Sequence, residues 1–183
     1  MTRFWRVGKR GSDVGLALVG AGGLAPAGLL AALLIRLTSP GPVLLRQWRQ
    51  GRLGRPFALL KFRSMTADGQ WVTPLGRWLR ATAIDELPQL INILRGEMSF
   101  VGPRPLLAAD SAGLAARSPE KDRAVAVPGL AGLAQLYAGK HPSPEARMAL
   151  DLRYVRRCGL RLDGWILCRA AVTSLRARWE PPL

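Results

Sequence analysis

Three observations predict a membrane-attached chain of mixed helix and strand. An uncharged apolar run, long enough to be a spanning helix, lies near the N-terminus. Two short strand-like runs then flank a glycine-containing connection. The segments that follow repeat their apolar residues with a helical period.

The apolar run is Val14 to Ile35, "VGLALVGAGGLAPAGLLAALLI". Its middle, "GAGGLAPAG", concentrates helix breakers, and Pro26 removes a backbone donor. Both flanks are basic: Arg3, Arg6, Lys9 and Arg10 precede it, and Arg36, Arg46, Arg49, Arg52 and Arg55 follow. The positive-inside rule places both flanks on the cytoplasmic side. A helix-break-helix that enters, bends at Ala25-Pro26 and returns satisfies both. A simple span and a signal peptide are the other readings, but no clear cleavage site follows the run.

"TSPGP" (38 to 42) ends the apolar segment in a turn. "VLLRQWR" and "FALLKFR" around "QGRLGRP" predict a β-hairpin from about Val43 to Arg63. "TPLGRWLRAT" is expected to be helical. In "DELPQLINILRG", Leu87, Leu90, Ile91 and Leu94 make one apolar helix face, with Asp85 at the N-cap and Gly96 just past the end. "VGPRPLL" leads into an irregular or helical stretch, and "VPGLAGLAQL" is expected to be a glycine-punctuated loop. Two helices close the chain, "PEARMALDLRYVRRC" and "GWILCRAAVTSLRARW". In the last, Trp165, Cys168, Val172, Leu175 and Trp179 form a stripe bordered by Arg169 and Arg176. It faces either the membrane interface, with Arg snorkelling, or an ordinary core.

Composition narrows the partner. The 183 residues suffice for one domain with its own core. With 27 Lys+Arg against 12 Asp+Glu, the formal net charge is +15. Such an excess implies nucleic acid, a membrane surface or a phosphorylated substrate. The cations are nearly all Arg, whose planar fork matches phosphate oxygens. A hydrophobic share of 49% favours a membrane surface over soluble nucleic-acid binding. Cys158 and Cys168 form no disulfide framework, which suits a reducing setting. His141 is the only histidine, so a His-rich zinc site and a Ser-His-Asp triad are both weak options. Any metal is more consistent with a hard cation held by carboxylates, such as Mg²⁺.

Asp85 and Glu86 are adjacent carboxylates in a cationic neighbourhood, five residues after Arg80. They serve either as a helix cap and dipole complement or as a nucleophile beside a Mg²⁺ ligand or proton acceptor. The surrounding cations predict that both are ionised at neutral pH. "KFRSM" puts Lys61 and Arg63 on one strand face, either solvated or phosphate-binding. Pro103 and Pro105 bracket Arg104 in "SFVGPRPLL", a rigidity beyond the needs of a surface arginine. No P-loop or GxGxxG is present, so a nucleotide would be held by such arginines.

In order, "TSPGP", "Q-x-R-x-G-x-x-G" (Gln47 to Gly54), "KFRSM", "LR-x-x-x-x-DELPQL-x-N", "GEMSFVGPRPL", "PGLAGLAQ" and "D-x-x-Y" (Asp151 to Tyr154) run through nearly the whole chain. This series resembles the bacterial sugar transferases, the monotopic polyprenol-phosphate phosphoglycosyl transferases. The resemblance implies an α+β fold: a compact cytoplasmic catalytic domain (37–183) with a small hairpin and interfacial amphipathic helices, hung on a re-entrant membrane helix (1–36). It implies transfer of a sugar-1-phosphate from a UDP-sugar to a polyprenol phosphate with release of UMP, Mg²⁺ as cofactor, membrane lipid as a partner and no nucleic acid. The expected location is the cytoplasmic face of the bacterial inner membrane. The family's nucleophile matches Asp85 and its companion acid Glu86, either of which could ligate the metal. Its basic phosphate contacts match Lys61 and Arg80, with Arg63 beside them, and its nucleotide-binding arginine matches Arg104. The chain looks like the family's minimal catalytic unit. It departs from the pattern at Ala25-Pro26, where Ser-Pro is frequent, and at Ala131, where Thr is usual. The rival readings are a non-catalytic basic protein on anionic lipid or nucleic acid, and an ordinary glycosyltransferase that releases UDP.

Overall fold

The computed structural model describes residues 3–107, 118–137 and 143–179. His141 lies outside them. The first element, α1 (Arg3–Thr38), is long and apolar enough over Val7–Thr38 to cross a membrane. It is helical on both sides of Pro26 and through it. The expected interruption at Ala25-Pro26 is therefore not a gap in the helix. A proline removes one donor, and a helix absorbs that loss locally.

Both halves of α1 pack on the rest of the protein. Before Pro26, Lys9 pairs with Asp163, and Arg10 donates to the Ile93 and Leu94 carbonyls. Asp13 accepts from Ser99 Oγ at 3.0 Å and from the Phe100 N–H at 3.1 Å. Ala17 is buried with Phe57, Leu59, Leu90, Ile93 and Met98. After Pro26, Ala31 and Ile35 are buried with Phe62 and Leu79. Residues 21–27 between them are exposed. Leu18, Val19, Leu24, Leu29 and Leu30 leave apolar surface uncovered, which suits a lipid environment.

Strands β1 (Leu44–Gln50) and β2 (Pro56–Phe62) form the predicted antiparallel hairpin, with Leu44 opposite Phe62 and Gln50 opposite Pro56. Helix α2 (Pro74–Thr82) starts where Thr73 accepts the Gly76 N–H at 2.9 Å. Gly76 presses on the backbone of Ser64, and a Cβ there would lie 1.9 Å from the Ser64 carbonyl oxygen.

Helix α3 (Gln89–Arg95) begins three residues later than the sequence suggests. Pro88 takes the N-cap position, and Asp85 makes no cap bond. Leu87 and Pro88 both have helical φ/ψ, but Pro88 has no N–H to donate back to the Ile84 carbonyl, so the α-helical bonds do not run back to Asp85. The buried face of α3 is also shifted. Leu90, Asn92 and Ile93 are buried, whereas Ile91 is 41% exposed.

Beyond α3 come β3 (Ser99–Val101), α4 (Ser118–Ala124), β4 (Gly129–Ala131), α5 (Leu133–Tyr137), α6 (Pro144–Arg157) and α7 (Leu160–Leu175). The segment expected to be a glycine-punctuated loop thus holds a strand and a helix. β3 and β4 pair in parallel, with Ser99 opposite Gly129. Their approach is too close for side chains on the inner glycines: a Cβ on Gly129 would lie 2.0 Å from the Gly102 nitrogen. Periodicity could not show a three-residue strand of this kind. On α7, Asp163 and Ile166 face inward, and Trp165, Cys168, Val172 and Leu175 are exposed. The stripe therefore does not face the core, which favours the interfacial alternative. Trp179 leaves it, since the chain turns at Ala177 and Trp179 Nε1 donates to Ser174 Oγ at 2.7 Å.

Candidate active site

The site is built around a sharp connection between α2 and α3. Ala83 ends α2 in the left-handed region, at φ 60°. A single 3-10 turn, Ile84–Glu86, follows. The turn aims Asp85 inward, leaving it 8% exposed, and seats the next residue, Leu87, beside Gly28 of α1.

Burial pushes the Asp85 carboxyl up to about 7, and the adjacent Glu86 charge adds to the rise. Lys61, Arg80 and Arg104 oppose the shift. The expectation of full ionisation is thus corrected. The cations are present as expected, but desolvation outweighs them, and in the free protein Asp85 titrates near neutrality.

Lys61 lies on β2. Burial lowers its pKa, and nearby Arg80, Arg49 and Arg104 add to the effect, against Asp85. Arg80, from the last turn of α2, donates Nε to Ser64 Oγ at 2.8 Å. Arg104 Nη2 reaches Glu86 Oε1 at 3.1 Å, although its side chain is 54% exposed. Such an exposed pair adds little stability. It leaves the guanidinium accessible to a ligand. Five of the predicted site residues, Lys61, Arg80, Asp85, Glu86 and Arg104, are therefore brought together.

Arg63 is not brought to this group. β2 ends at Phe62, so Lys61 and Arg63 do not share a strand face. Arg63 is 4% exposed and donates to the Ser39 carbonyl at 2.7 Å and to Ser39 Oγ at 2.8 Å. It ties the turn after α1 to the end of β2.

Sequence reasoning missed three supports. Arg49 is one of the charges acting on Lys61. Ser64 orients Arg80. Asn92 accepts the Leu60 N–H at 3.0 Å and donates to the Ala58 carbonyl at 2.8 Å and to Glu97 Oε2 at 2.6 Å. It fastens α3 to the strand that carries Lys61. Each lies inside one of the family-like motifs, but nothing in the spacing shows its partner.

This arrangement can bind a diphosphate and place a carboxylate oxygen beside phosphorus. Asp85 and Glu86 also fit a hard divalent cation that takes one or two carboxylates and completes its shell with phosphate and water. Among the described residues no cluster of three or more His, Cys, Asp or Glu could hold a metal alone.

Fold and site together define a class of membrane-associated proteins in which a carboxylate pair lies among cations beside a long apolar helix. Within that class, the chain belongs to the bacterial sugar transferase family, whose family model matches residues 4–177. It is 44% identical over 186 residues to a UDP-glucose:undecaprenyl-phosphate glucose-1-phosphate transferase of Caulobacter vibrioides, covering 91% of this chain and 69% of the relative. It is 37% identical over 189 residues to an exopolysaccharide production protein of Rhizobium leguminosarum bv. phaseoli, covering 91% of this chain and 94% of the relative. It is 35% identical over 183 residues to a UDP-N-acetylgalactosamine-undecaprenyl-phosphate N-acetylgalactosaminephosphotransferase of Aeromonas hydrophila, covering 91% of this chain but only 43% of that relative.

Proposed function

We propose that this chain transfers a sugar-1-phosphate from a UDP-sugar to a polyprenol phosphate, with undecaprenyl phosphate as the first acceptor to test. UMP is released, and the product begins exopolysaccharide or glycoconjugate synthesis. One observation carries the reading. A buried carboxylate beside Glu86, under Lys61, Arg80 and Arg104, sits in a turn packed on the membrane helix. The family membership and the printed activities of the relatives support it.

In this reading an Asp85 carboxylate oxygen attacks the phosphorus that bears the sugar. The bond from that phosphorus to the bridging oxygen breaks, and UMP leaves with the electron pair. The new bond is an acyl phosphate. An oxygen of polyprenol phosphate then attacks the same phosphorus and frees Asp85. The acceptor has a second pKa near 6, so it arrives largely ionised and needs little general-base help. Lys61 and Arg80 hold the phosphates, and Arg104 takes the nucleotide end. Mg²⁺, held by Asp85, Glu86 or both, would neutralise charge on the diphosphate.

The test is nucleotide release from a panel of UDP-sugars with undecaprenyl phosphate and Mg²⁺, beginning with UDP-glucose. UMP is the expected product. UDP would indicate an ordinary glycosyltransferase, and no release from any donor would leave a binding protein.

We also read α1 as re-entrant, with the catalytic residues on the cytoplasmic face of the inner membrane. Both flanks of the apolar run are basic. A spanning helix would separate its ends by about 30 Å of hydrocarbon. Asp13 and Ile35 instead pack on the same body, and the stretch around Pro26 is exposed. For a topology test, Cys158 and Cys168 are first replaced by serine. Gly8→Cys and Arg46→Cys are then probed separately with an impermeant thiol reagent on intact cells. Neither is expected to label. Labelling of one but not the other would establish a simple span.

A further inference from the structure

The loop that presents Arg104 has an unusual hydrogen-bonding problem. Pro103 and Pro105 have no N–H, so the loop offers few donors of its own. It is held through its acceptors. The Pro103 carbonyl accepts the Gly129 N–H at 2.9 Å. The Arg104 carbonyl accepts from Arg123 Nη2. The Pro105 carbonyl accepts from Arg49 Nη1 at 3.2 Å, and the Leu106 carbonyl accepts the Gln50 N–H at 2.9 Å. Four consecutive carbonyls are thus gripped from three elements, β4, α4 and β1. Arg123 alone among these donors bonds an atom of Arg104 itself.

Arg123 is in turn fixed by Asp151, whose Oδ2 accepts from its Nε at 2.7 Å. Both side chains are nearly buried, 11% and 8% exposed. Taking two charges out of water is a poor way to gain stability, since apolar residues serve as well or better. Asp151 begins the "D-x-x-Y" motif of α6. Its Tyr154, one turn on, sets its hydroxyl 3.0 Å from the Val101 carbonyl oxygen, at the start of the same loop.

From these contacts we infer that Arg123 and Asp151 are positioning residues for Arg104. Asp151 orients the Arg123 guanidinium, and Arg123 fixes the Arg104 peptide so that its side chain projects beside Glu86. The inference deepens the proposed reaction and rests on Arg104 taking the nucleotide end of the donor.

A double-mutant cycle tests it. Arg123→Gln should lower kcat/KM for the UDP-sugar about tenfold to a hundredfold, the scale of a misplaced binding group. The loss should lie mainly in donor KM, with acceptor KM unchanged. In an Arg104→Ala background the same substitution should cost almost nothing further. Asp151→Asn should follow the pattern more weakly, because an amide oxygen still accepts from Nε. Equal losses in both backgrounds would overturn the inference, since they would mean that Arg123 acts on the fold or elsewhere in the site. Hydrogen exchange of the 99–107 peptide tests the clamp without substrate. Faster exchange in Arg123→Gln than in wild type is expected, and unchanged exchange would overturn the inference. If wild type consumes no UDP-sugar, the proposed function fails while the exchange result still decides the clamp.

Discussion

Asp85→Asn is expected to lower turnover by about 10³-fold or more, the scale seen when other catalytic nucleophiles are removed. The substitution keeps the shape and hydrogen-bonding reach of the side chain and deletes the attacking oxygen. Intact-protein mass spectrometry after mixing wild type with UDP-sugar and Mg²⁺, without acceptor, should show the added mass of a sugar phosphate on the "DELPQL" peptide. An adduct that persists in Asp85→Asn, or that maps to Glu86, would reverse the two roles. The pH dependence follows from burial. Because the carboxyl is pushed up to about 7, adduct formation should rise with pH through that value. Stability runs the other way. Between about pH 4 and 7 the folded state holds a proton that the unfolded chain has lost, so the contribution present below about pH 4 is lost across that window and is gone above 7. At pH 8 the inactive Asp85→Asn protein should therefore melt at or above the wild-type temperature.

The second large effect is on the scaffold. Asn92 is fully buried and satisfies the Leu60 N–H, the Ala58 carbonyl and Glu97 at once. Asn92→Leu keeps the branching but adds bulk, and it leaves the Leu60 N–H and the Ala58 carbonyl without their partner, whereas the half-buried Glu97 can turn to water. Each buried polar group left without a partner costs about 1–3 kcal/mol, so a loss of roughly 3 kcal/mol or more is expected. Thermal denaturation in detergent would measure it. A Tm within a degree of wild type would show that water or a local shift satisfies those groups.

Much of this architecture is legible in the sequence itself. The hairpin is readable because its strands alternate about a glycine turn, and its observed register runs from Leu44–Phe62 to Gln50–Pro56. The carboxylate pair and its cations stand out because charges of opposite sign cluster in a few motifs. Conformation set by contacts between distant segments is not readable in this way. The β3–β4 pairing depends on two glycines brought together from far apart in the chain, whereas the later start of α3 follows from Pro88, a local signal that the apolar spacing outweighed. Arg63 resembles a site residue only if strand alternation is extended one residue beyond the end of β2. The protonation of Asp85 depends on burial, which the sequence does not contain.

The ion pair between Lys9 and Asp163 joins positions 154 residues apart. On the ribosome, at about 5–20 residues per second, Lys9 waits roughly 8–30 s for its partner to be made. During that time the greasy segment behind it is already available to chaperones, targeting factors and lipid. The membrane helix therefore cannot take its final seat when it emerges. It must be shielded or loosely inserted first, then clasped by α7 once that helix has been made. Biogenesis of this protein is thus a race between early capture of its first helix and late arrival of the helix that anchors it.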